Sequence, residues 1–373
     1  MKFAQMKRQV ENLFALADVK INGMRPWDIK VHNNQFYSRV LADGAMGVGE
    51  SYMDGWWDCE DMAEMSFRTQ RADLENKMKP GAGFVFALLQ AKLFNMQNRA
   101  RAKRDMHHHY DIGNDLYKLM LDKRMVYTCA YWKNAKTLDE AQEAKLDLVC
   151  KKIGLKKGMS VLDIGCGWGS FAKFAAEKYG AKVVGITIAK EQLTLARELC
   201  KGLPIEIRFQ DYRDVQEKFD RIVSIGMFEA VGPKNHRDYF KMARRCLKDG
   251  GLFLLHTLGS NVSIEAASPW VDKYIFPGAV VPSIKQVGAA IEKLFVMEDW
   301  HNFGQYYALT TVAWWNNFSK HWSKIRAKYG ERFYRMWRFY LLMGSGVVKA
   351  RQMQLWQIVL SKDGIVGGYE SVR

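Results

Sequence analysis

The chain has 373 residues, of which 48% are hydrophobic and 26% charged. This composition predicts about two folded domains and excludes wholesale disorder, collagen and a coiled coil. The 56 basic and 40 acidic residues leave a net charge of +16, which favours polyanionic partners such as nucleic acid or an anionic membrane surface. The six cysteines form no CxxC pair, the first residues carry charges throughout, and no apolar run is long enough to span a bilayer. We therefore expect a cytoplasmic protein with reduced thiols, whose membrane contact is peripheral.

Two segments precede the region with the clearest pattern. Residues 1–76 mix short apolar runs with turn dipeptides and the aromatic pair Trp56-Trp57, which predicts a small α+β or helical domain. Residues 77–104 hold seven basic residues and no acidic one. This segment suits an amphipathic helix on an anionic membrane surface, and it suits a solvated interdomain linker equally well.

Residues 105–373 are predicted to form a second, larger domain, in which helices and strands alternate from about residue 140. Apolar strands are predicted at MSVLDIGCG, AKVVGITI, IEIRFQDY, FDRIVSIGMFEAV and GLFLLHTLG, with amphipathic helices between them. This alternation predicts an α/β fold with a mostly parallel sheet and helices on both faces. In such folds, ligands bind beyond the carboxyl ends of the strands.

The region after Thr310 has a different composition, with 11 basic and 3 acidic residues. Basic residues interleaved with aromatic ones suit a lipid interface or stacked nucleotides. For most of these aromatic residues individually, the favoured interpretation is a place in the core. They are Trp314, Trp315, Phe318, Trp322, Phe333, Tyr334, Trp337, Phe339, Tyr340 and Trp356.

A glycine-rich turn joins the first predicted strand of the larger domain to a helix. Gly165, Gly167 and Gly169 stand at alternate positions, where the missing Cβ atoms allow positive φ and close approach of a ligand. The spacing differs from the GxGxxG of dinucleotide sites, and Thr187 stands where a ribose-binding acid is expected. The pattern DxGxGxG, with Asp163 before the first glycine, resembles the S-adenosylmethionine loop of class I methyltransferases. A structural turn in another α/β protein is the alternative.

Polar residues in four other segments add candidate chemistry: Cys129, Glu229, His256 and Tyr307. Glu229 and His256 follow the fourth and fifth predicted strands. They are therefore expected at the same sheet edge as the glycine turn.

The segments HYDIGNDLY, YTCAYW, VLDIGCGWG, QDYRD, GMFEAVGPKN, LLHTLGS, DKYIFPG, VMEDWHNFG and ARQMQLWQ together resemble the bacterial cyclopropane fatty acid synthases. INGMRPWDIKVHN and GESYMDGWWDC resemble the amino-terminal domain of the same enzymes, so the resemblance covers nearly the whole chain. It implies a class I methyltransferase (Rossmann-like) domain joined to a small, mainly helical lipid-associated domain, usually as a homodimer at the inner face of the membrane. The implied reaction is methylene transfer from S-adenosylmethionine to the cis double bond of unsaturated acyl chains in membrane phospholipids.

The resemblance also assigns site residues. A bicarbonate ion would be bound as the base by the catalytic residues Cys129, Glu229, His256 and Tyr307 and by the backbone near Leu258. His256 and Tyr307 would donate to the ion, and Glu229 would accept its proton. The residues expected to bind S-adenosylmethionine are Tyr127, Thr128, Asp163, Gly165, Gly167, Gly169, Thr187, Gln192, Gln210 and Asp211.

Three positions depart from the family's pattern. Thr128 replaces a common serine, Ala230 replaces an expected histidine after Glu229, and Tyr306 replaces an expected acid before Tyr307.

Several residues have simpler interpretations. Cys129 is expected to act through its backbone and packing rather than as a nucleophile, Cys166 to be packed, and His236 and His301 to be structural. Consecutive side chains such as His107-His108-His109 diverge, so no metal site is predicted.

Two functional alternatives stay open, although nucleic acid is not the expected partner. One is a related methyltransferase that adds methyl branches or acts on a small molecule. The other is a non-catalytic membrane- or RNA-binding protein with a vestigial cofactor loop.

Overall fold

The computed structural model describes residues 2–78, 95, 97, 98 and 113–373. Most of the predicted basic segment 77–104 and the three consecutive histidines lie outside the described residues. The chain divides into two compact units. The first comprises the described parts of Met1–Phe94, Ala266–Pro277 and Tyr307–Met353, and the second comprises those of Asn95–Glu265, Gly278–Tyr306 and Gln354–Arg373. The first unit thus includes two later segments besides the predicted amino-terminal domain.

The regular elements are numbered in chain order. The helices are α1 (Phe3–Ala15), α2 (Gln35–Met53), α3 (Met62–Arg71), α4 (Leu74–Lys77), α5 (Asn114–Met120), α6 (Leu138–Lys152), α7 (Ser170–Tyr179), α8 (Lys190–Leu199), α9 (His236–Cys246), α10 (Pro269–Tyr274), α11 (Ile284–Ile291), α12 (Gln305–His321) and α13 (Arg326–Lys349). The strands are β1 (Lys30–Val31), β2 (Trp57–Asp58), β3 (Ser160–Ile164), β4 (Lys182–Thr187), β5 (Ile205–Phe209), β6 (Phe219–Ile225), β7 (Leu247–Gly259), β8 (Val296–Asn302) and β9 (Gln354–Ser361).

The first unit is mainly helical, with a short antiparallel pair formed by β1 and β2. Two arginines of α13 bind backbone carbonyl groups of this unit: Arg335 donates to Trp57 at 2.7 Å and Arg338 to Cys59 at 3.0 Å. Arg338 also donates to the Tyr52 hydroxyl at 2.9 Å. These cations therefore satisfy buried polar groups instead of forming a solvated face.

The aromatic residues after Thr310 are buried or half-buried, and none of the ten is exposed. Trp314, Phe318 and Trp337 are completely inaccessible to solvent. The interpretation that these side chains belong to the core is confirmed for half of them, and the other half are partly exposed.

The second unit is built on a seven-stranded sheet of order β5-β4-β3-β6-β7-β9-β8. The strands β3 to β7 pair with one another in parallel, as predicted, and β9 pairs antiparallel with both β7 and β8 to complete the sheet. Buried clusters with residues of α9 and α11 on one side and of α6 and α7 on the other pack against it. The predicted mostly parallel sheet with helices on both faces, the class I methyltransferase fold, is confirmed.

Local signals place the helices that support the carboxyl end of this sheet. Thr137 and Glu140 form a capping box that begins α6, which satisfies backbone N–H groups that lack helical partners. Gly169, at φ 81°, precedes α7, and Gly180, at φ 64°, ends it.

None of the helices in the described residues has the length and apolar composition that a membrane span requires. No disulfide joins the six cysteines, all of which are buried.

Candidate functional site

The glycine turn follows β3 directly at the carboxyl edge of the sheet. Gly165, Gly167 and Gly169 all have positive φ, at 77°, 55° and 81°, the backbone conformation that glycine adopts without strain. The N–H groups of Gly165 and Cys166 both donate to the carbonyl of Ile186 at 3.0 Å, which ties the turn to β4. A Cβ atom on Gly165 would lie 2.6 Å from the Cγ of Met227, so a side chain does not fit there.

Three predicted cofactor residues lie together beside this turn. The Thr187 hydroxyl donates to the side-chain oxygen of Gln192 at 3.4 Å, and the Thr187 carbonyl accepts from the N–H of Gln210 at 3.1 Å. A Cβ atom on Gly167 would lie 3.9 Å from the Gln192 amide nitrogen. The structure therefore groups the ends of β4 and β5 with the turn after β3.

Asp211 follows β5 and has a cationic partner. Its Oδ1 accepts from the Arg213 backbone N–H at 3.0 Å, and its Oδ2 accepts from the Arg213 guanidinium at 2.9 Å. The predicted role of Asp211 in binding S-adenosylmethionine stays a prediction.

Asp163 precedes the glycine turn and is 2% exposed. Its Oδ2 is buried and has no hydrogen-bond partner among the described residues. Burial raises the pKa of this carboxyl to about 7, although the positive charge of Lys145 opposes the shift. A buried carboxylate oxygen without a partner in the described part of the chain indicates a place for a ligand.

Glu229 and Leu258 come together where β6 and β7 end. The Leu258 N–H donates to Glu229 Oε1 at 2.7 Å, while the buried Oε2 has no partner in the described part of the chain. Burial raises the pKa of Glu229 above its usual value, and the Leu258 hydrogen bond opposes this effect.

His256 is completely buried near the end of β7. In β9, the opposite residue Gln357 lies with its side-chain nitrogen 3.3 Å from His256 Nδ1. Burial lowers the pKa of His256 well below its usual value, so the ring is neutral. With Nδ1 accepting from the amide, the ring proton is on Nε2, a buried atom that has no partner within the described residues.

The segment before α6 carries Tyr127, Thr128 and Cys129. The ring centroid of Tyr127 is 5.1 Å from that of Tyr117, and Cys129 is completely buried, with its thiol 3.3 Å from the Ala130 carbonyl. This geometry agrees with a packing role for Cys129. Thr128 contacts the position where a Cβ atom on Gly226 would lie, and the Gly226 N–H donates to the His256 carbonyl at 2.9 Å. Thr128 is thereby linked to the end of β7.

Tyr307 belongs to the first unit, so its predicted role beside His256 and Glu229 stays a prediction. Its carbonyl accepts from the Thr311 hydroxyl at 3.1 Å within α12. Tyr306 belongs to the second unit and packs edge-on against Tyr131, with the ring centroids 5.5 Å apart.

Lys145 and Gln142, both completely buried on α6, were missed in the sequence. The Lys145 ammonium donates to the Thr128 hydroxyl at 2.6 Å, and the Gln142 amide donates to the Thr128 carbonyl at 2.9 Å. A signal was present, because both lie at the helical spacing of the apolar residues Leu138 and Val149, on the stripe that faces the core.

Two further histidines of the second unit, His236 and His301, contact neighbouring side chains. His236 is buried, and its ring stacks on Phe228 with the centroids 4.3 Å apart. His301 Nδ1 lies 3.0 Å from the Lys152 ammonium. In the described residues, no group of three or more His, Cys, Asp or Glu side chains is arranged to hold a metal ion.

Residues 97–358 match the family described as mycolic acid cyclopropane synthetase. Over 366 residues, the chain is 48% identical to the cyclopropane-fatty-acyl-phospholipid synthase of Escherichia coli K12, covering 98% of this chain and 96% of the relative. The chain belongs to the cyclopropane synthase family. Membership confirms the prediction that it is an S-adenosylmethionine-dependent transferase.

Two solved structures of cyclopropane synthases have the same fold. They are MmaA2 from Mycobacterium tuberculosis and CmaA1 complexed with SAH and CTAB. Each is 30% identical to this chain with a TM-score of 0.66, covering 70% of this chain and 98% of its own.

The donor set at the sheet edge offers groups that suit S-adenosylmethionine and, as the family resemblance implies, bicarbonate. For S-adenosylmethionine, the glycine turn provides a cradle without side chains, and Asp163 Oδ2 is unsatisfied. For bicarbonate, the N–H at His256 Nε2 and the oxygen Glu229 Oε2 offer a buried donor and a buried carboxyl oxygen.

Proposed function

We propose that this cyclopropane synthase transfers a methylene group from S-adenosylmethionine to the cis double bond of unsaturated acyl chains in membrane phospholipids. Family membership over nearly the whole chain supports this reaction. The observation that carries the site assignment is the pair of unsatisfied buried atoms, His256 Nε2 and Glu229 Oε2, at the ends of neighbouring strands.

When bound, S-adenosylmethionine supplies an electrophilic methyl group and bicarbonate supplies a base. The glycine turn, Thr187 and Gln192 bind and orient the cofactor, while Asp163 holds a negative charge beside it. An alkene needs no deprotonation before it attacks, so no strong protein base is required at that stage.

Before the ring closes, a base must remove one proton from the new methyl group. Residues at the ends of β6 and β7 would hold this base. The neutral His256 ring donates from Nε2 and so holds the anionic base in place. Glu229 is oriented by the Leu258 N–H through Oε1, which leaves Oε2 to accept a hydrogen bond from the base.

Aromatic packing protects this part of the site from water. The ring of Phe303 lies 6.0 Å from that of His256, and Tyr131 and Tyr306 pack around Phe303. Exclusion of water preserves a carbocation that water would quench, and aromatic faces stabilise positive charge.

The protein is proposed to act as a peripheral membrane enzyme and a homodimer. The net charge of +16 supports attraction to anionic phospholipid surfaces. Flotation of the full chain with anionic and with zwitterionic vesicles tests the first point, because stronger flotation with anionic vesicles is expected. Sedimentation equilibrium tests the second, with a monomer as the result that contradicts it.

The reaction is tested by incubating the full chain with vesicles of cis-monounsaturated phosphatidylethanolamine and phosphatidylglycerol and methyl-labelled S-adenosylmethionine. We expect label in the acyl chains, together with loss of the double bond and cyclopropane proton signals in the NMR spectrum. Vesicles of saturated lipids are the control. Labelled chains with a methyl branch would favour the alternative methyltransferase, and unlabelled lipid would contradict the proposal.

The role of bicarbonate is tested in the same assay. Depletion of dissolved carbon dioxide should lower the rate, and added bicarbonate should restore it. An equal rate under both conditions would contradict a bicarbonate base while leaving methylene transfer intact.

A further inference from the structure

The segment that precedes α6 is buried or half-buried although it forms no regular helix or strand between Met125 and Ala130. Side chains of α6 hold it in place. The Gln142 amide donates to the carbonyls of Val126 and Thr128 at 3.4 and 2.9 Å, and the Lys145 ammonium donates to the Thr128 hydroxyl at 2.6 Å. Both α6 side chains are completely buried, so each must be satisfied by the protein or by a ligand.

Thr128 is fixed from a second direction by the turn after β6. Gly226 has φ 68°, and a Cβ atom there would collide with the Thr128 methyl group. The Gly226 N–H in turn donates to the His256 carbonyl at 2.9 Å. A movement of Thr128 would therefore disturb both the turn after β6 and the end of β7.

Lys145 places a positive charge among groups of the opposite sign. Burial lowers the pKa of Lys145 to about 8, against the influence of Cys129, Asp122 and Asp163. Conversely, burial raises the pKa of Asp163 to about 7, and Lys145 is the group that opposes the rise. Near pH 7.5, both the ammonium and the carboxylate are thus substantially charged.

We propose that Lys145 is a positioning residue of the cofactor site, whose buried ammonium group holds Thr128 in place and keeps Asp163 negatively charged. Lys145 itself need not touch the cofactor. This inference rests on one part of the proposed function, the binding of S-adenosylmethionine. It does not depend on the lipid reaction. Arginine is a poor substitute at such a site, because its planar guanidinium is larger than an ammonium and donates in fixed directions.

The charged groups that face this pair come from several elements. Asp122 and Cys129 act on Lys145, and the Lys145 charge also acts on His256. Cys166, Cys200 and Tyr239 respond to the Asp163 charge. Burial raises the pKa of each of these three groups, so they stay neutral between pH 6 and 9. Burial also raises the pKa of Asp122, to about 6, so Asp122 is ionised above about pH 7, and the charge changes between pH 7 and 9 come from Lys145 and Asp163.

The test measures affinity for S-adenosylmethionine by calorimetry from pH 6 to 9.5 in the full chain and in Lys145→Met. Without the cation, the Asp163 pKa rises further, so Lys145→Met should bind about tenfold more weakly near pH 7.5. Above pH 9, the wild-type Lys145 is neutral and Asp163 is ionised in both proteins, so the difference should shrink to about threefold. A deficit that is the same at every pH, or no deficit, would overturn the proposal.

Lys152→Met is the matched control. Lys152 is also completely buried on α6, but it interacts with His301 at 3.0 Å and with Asp299 at 3.4 Å. Its removal should lower stability and leave cofactor affinity within about twofold of wild type at each pH. An equal pH-dependent loss in Lys152→Met would show that any buried cation of α6 produces the effect, which contradicts the assignment.

If Lys145→Met does not fold, Thr128→Val tests the contact from the other side. This variant loses the hydrogen bond from Lys145 and keeps the cation, so it should bind the cofactor more weakly by a factor that does not vary with pH. Thr128→Ser, which keeps the hydroxyl, should restore most of the affinity. Wild-type affinity in Thr128→Val would contradict the positioning role. Because the readout is cofactor binding, failure of the lipid reaction would leave this result interpretable.

Discussion

Asp28 in the first unit and Asp163 in the second are equally inaccessible to solvent, each 2% exposed, although Asp163 lies deeper among protein atoms. Asp28 accepts hydrogen bonds from the Lys20 and Arg25 backbone N–H groups and from the Arg25 guanidinium, at 2.8 to 3.1 Å. Although burial alone would raise it, these partners lower the pKa of Asp28 to about 2. Asp163 Oδ2 has no such partner among the described residues, and burial raises the pKa of Asp163 to about 7.

The contrast teaches that the hydrogen-bond partners of a solvent-inaccessible carboxylate, together with its depth, separate structural from functional groups. Around Asp28, the protein supplies every hydrogen bond itself, so the carboxylate stabilises the fold. Around Asp163, Glu229 and His256, buried polar atoms remain unsatisfied, which costs stability and leaves hydrogen-bonding capacity for a ligand.

The largest effect is expected for Glu229→Gln. The variant keeps an oxygen for the Leu258 N–H but loses the carboxylate, so turnover should fall by a factor of about 100 to 1,000. Affinity for S-adenosylmethionine, measured by calorimetry, should be unchanged. A parallel loss of cofactor affinity would show that Glu229 belongs to the cofactor site instead.

Removing the partner of the structural carboxylate should act on stability alone. Arg25→Met leaves Asp28 buried without its cation, so the free energy of unfolding in urea should fall by about 2–3 kcal/mol. Cofactor affinity of the folded variant should equal that of wild type. A stability within about 0.5 kcal/mol of wild type would contradict the contrast.

Removing the unsatisfied Asp163 carboxylate should raise the free energy of unfolding, whereas Arg25→Met lowers it. The Asp163 pKa is raised above its unfolded value near 3.8, so its stability cost grows between about pH 4 and 7 and is complete above pH 7. Asp163→Asn should therefore raise the free energy of unfolding by about 2 kcal/mol at pH 8 and by less at pH 5, while weakening cofactor binding. Destabilisation at pH 8 would be contrary to this expectation.

An exposed ion pair should have the smallest effect on the free energy of unfolding. Lys241 lies 3.1 Å from Asp238, and both side chains are well exposed. Lys241→Ala should change the free energy of unfolding by at most about 0.5 kcal/mol, because water and salt screen such pairs. A loss comparable to that of Arg25→Met would mean that burial is not what distinguishes Asp28.

Local patterns made much of the second unit predictable. The strands before Gly165 and Glu229 are short apolar runs bounded by turns. The glycine turn needs positive φ angles, and the alternating glycines in the sequence indicate them. The topology of parallel sheets then places the ends of β3, β6 and β7 at one edge, so the prediction that Glu229 and His256 lie at the same sheet edge as the turn followed from the order of the elements.

Long-range contacts were not predictable in the same way. The pairing of β9 between β7 and β8 brings Gln357 to His256, and no local pattern encodes that neighbour. Lys145 lies at the helical spacing of the apolar residues of α6, but lysine on a helix is normally exposed, so its residue type argued against the burial that its position indicates. The place of residues 307–353 in the first unit is likewise a property of tertiary contacts.

The order of the sheet also constrains how the chain is made. Strand β8 is bonded only to β9 within the described sheet, although β9 lies 52 positions later, counted from Asn302 to Gln354. While the ribosome is still adding those residues, β7 and β8 lack their pairing strand β9, and their unpaired edges are exposed to other nascent chains. The enzyme therefore completes its sheet late in synthesis, and chaperones that shield unpaired strands have their greatest opportunity to act during that interval.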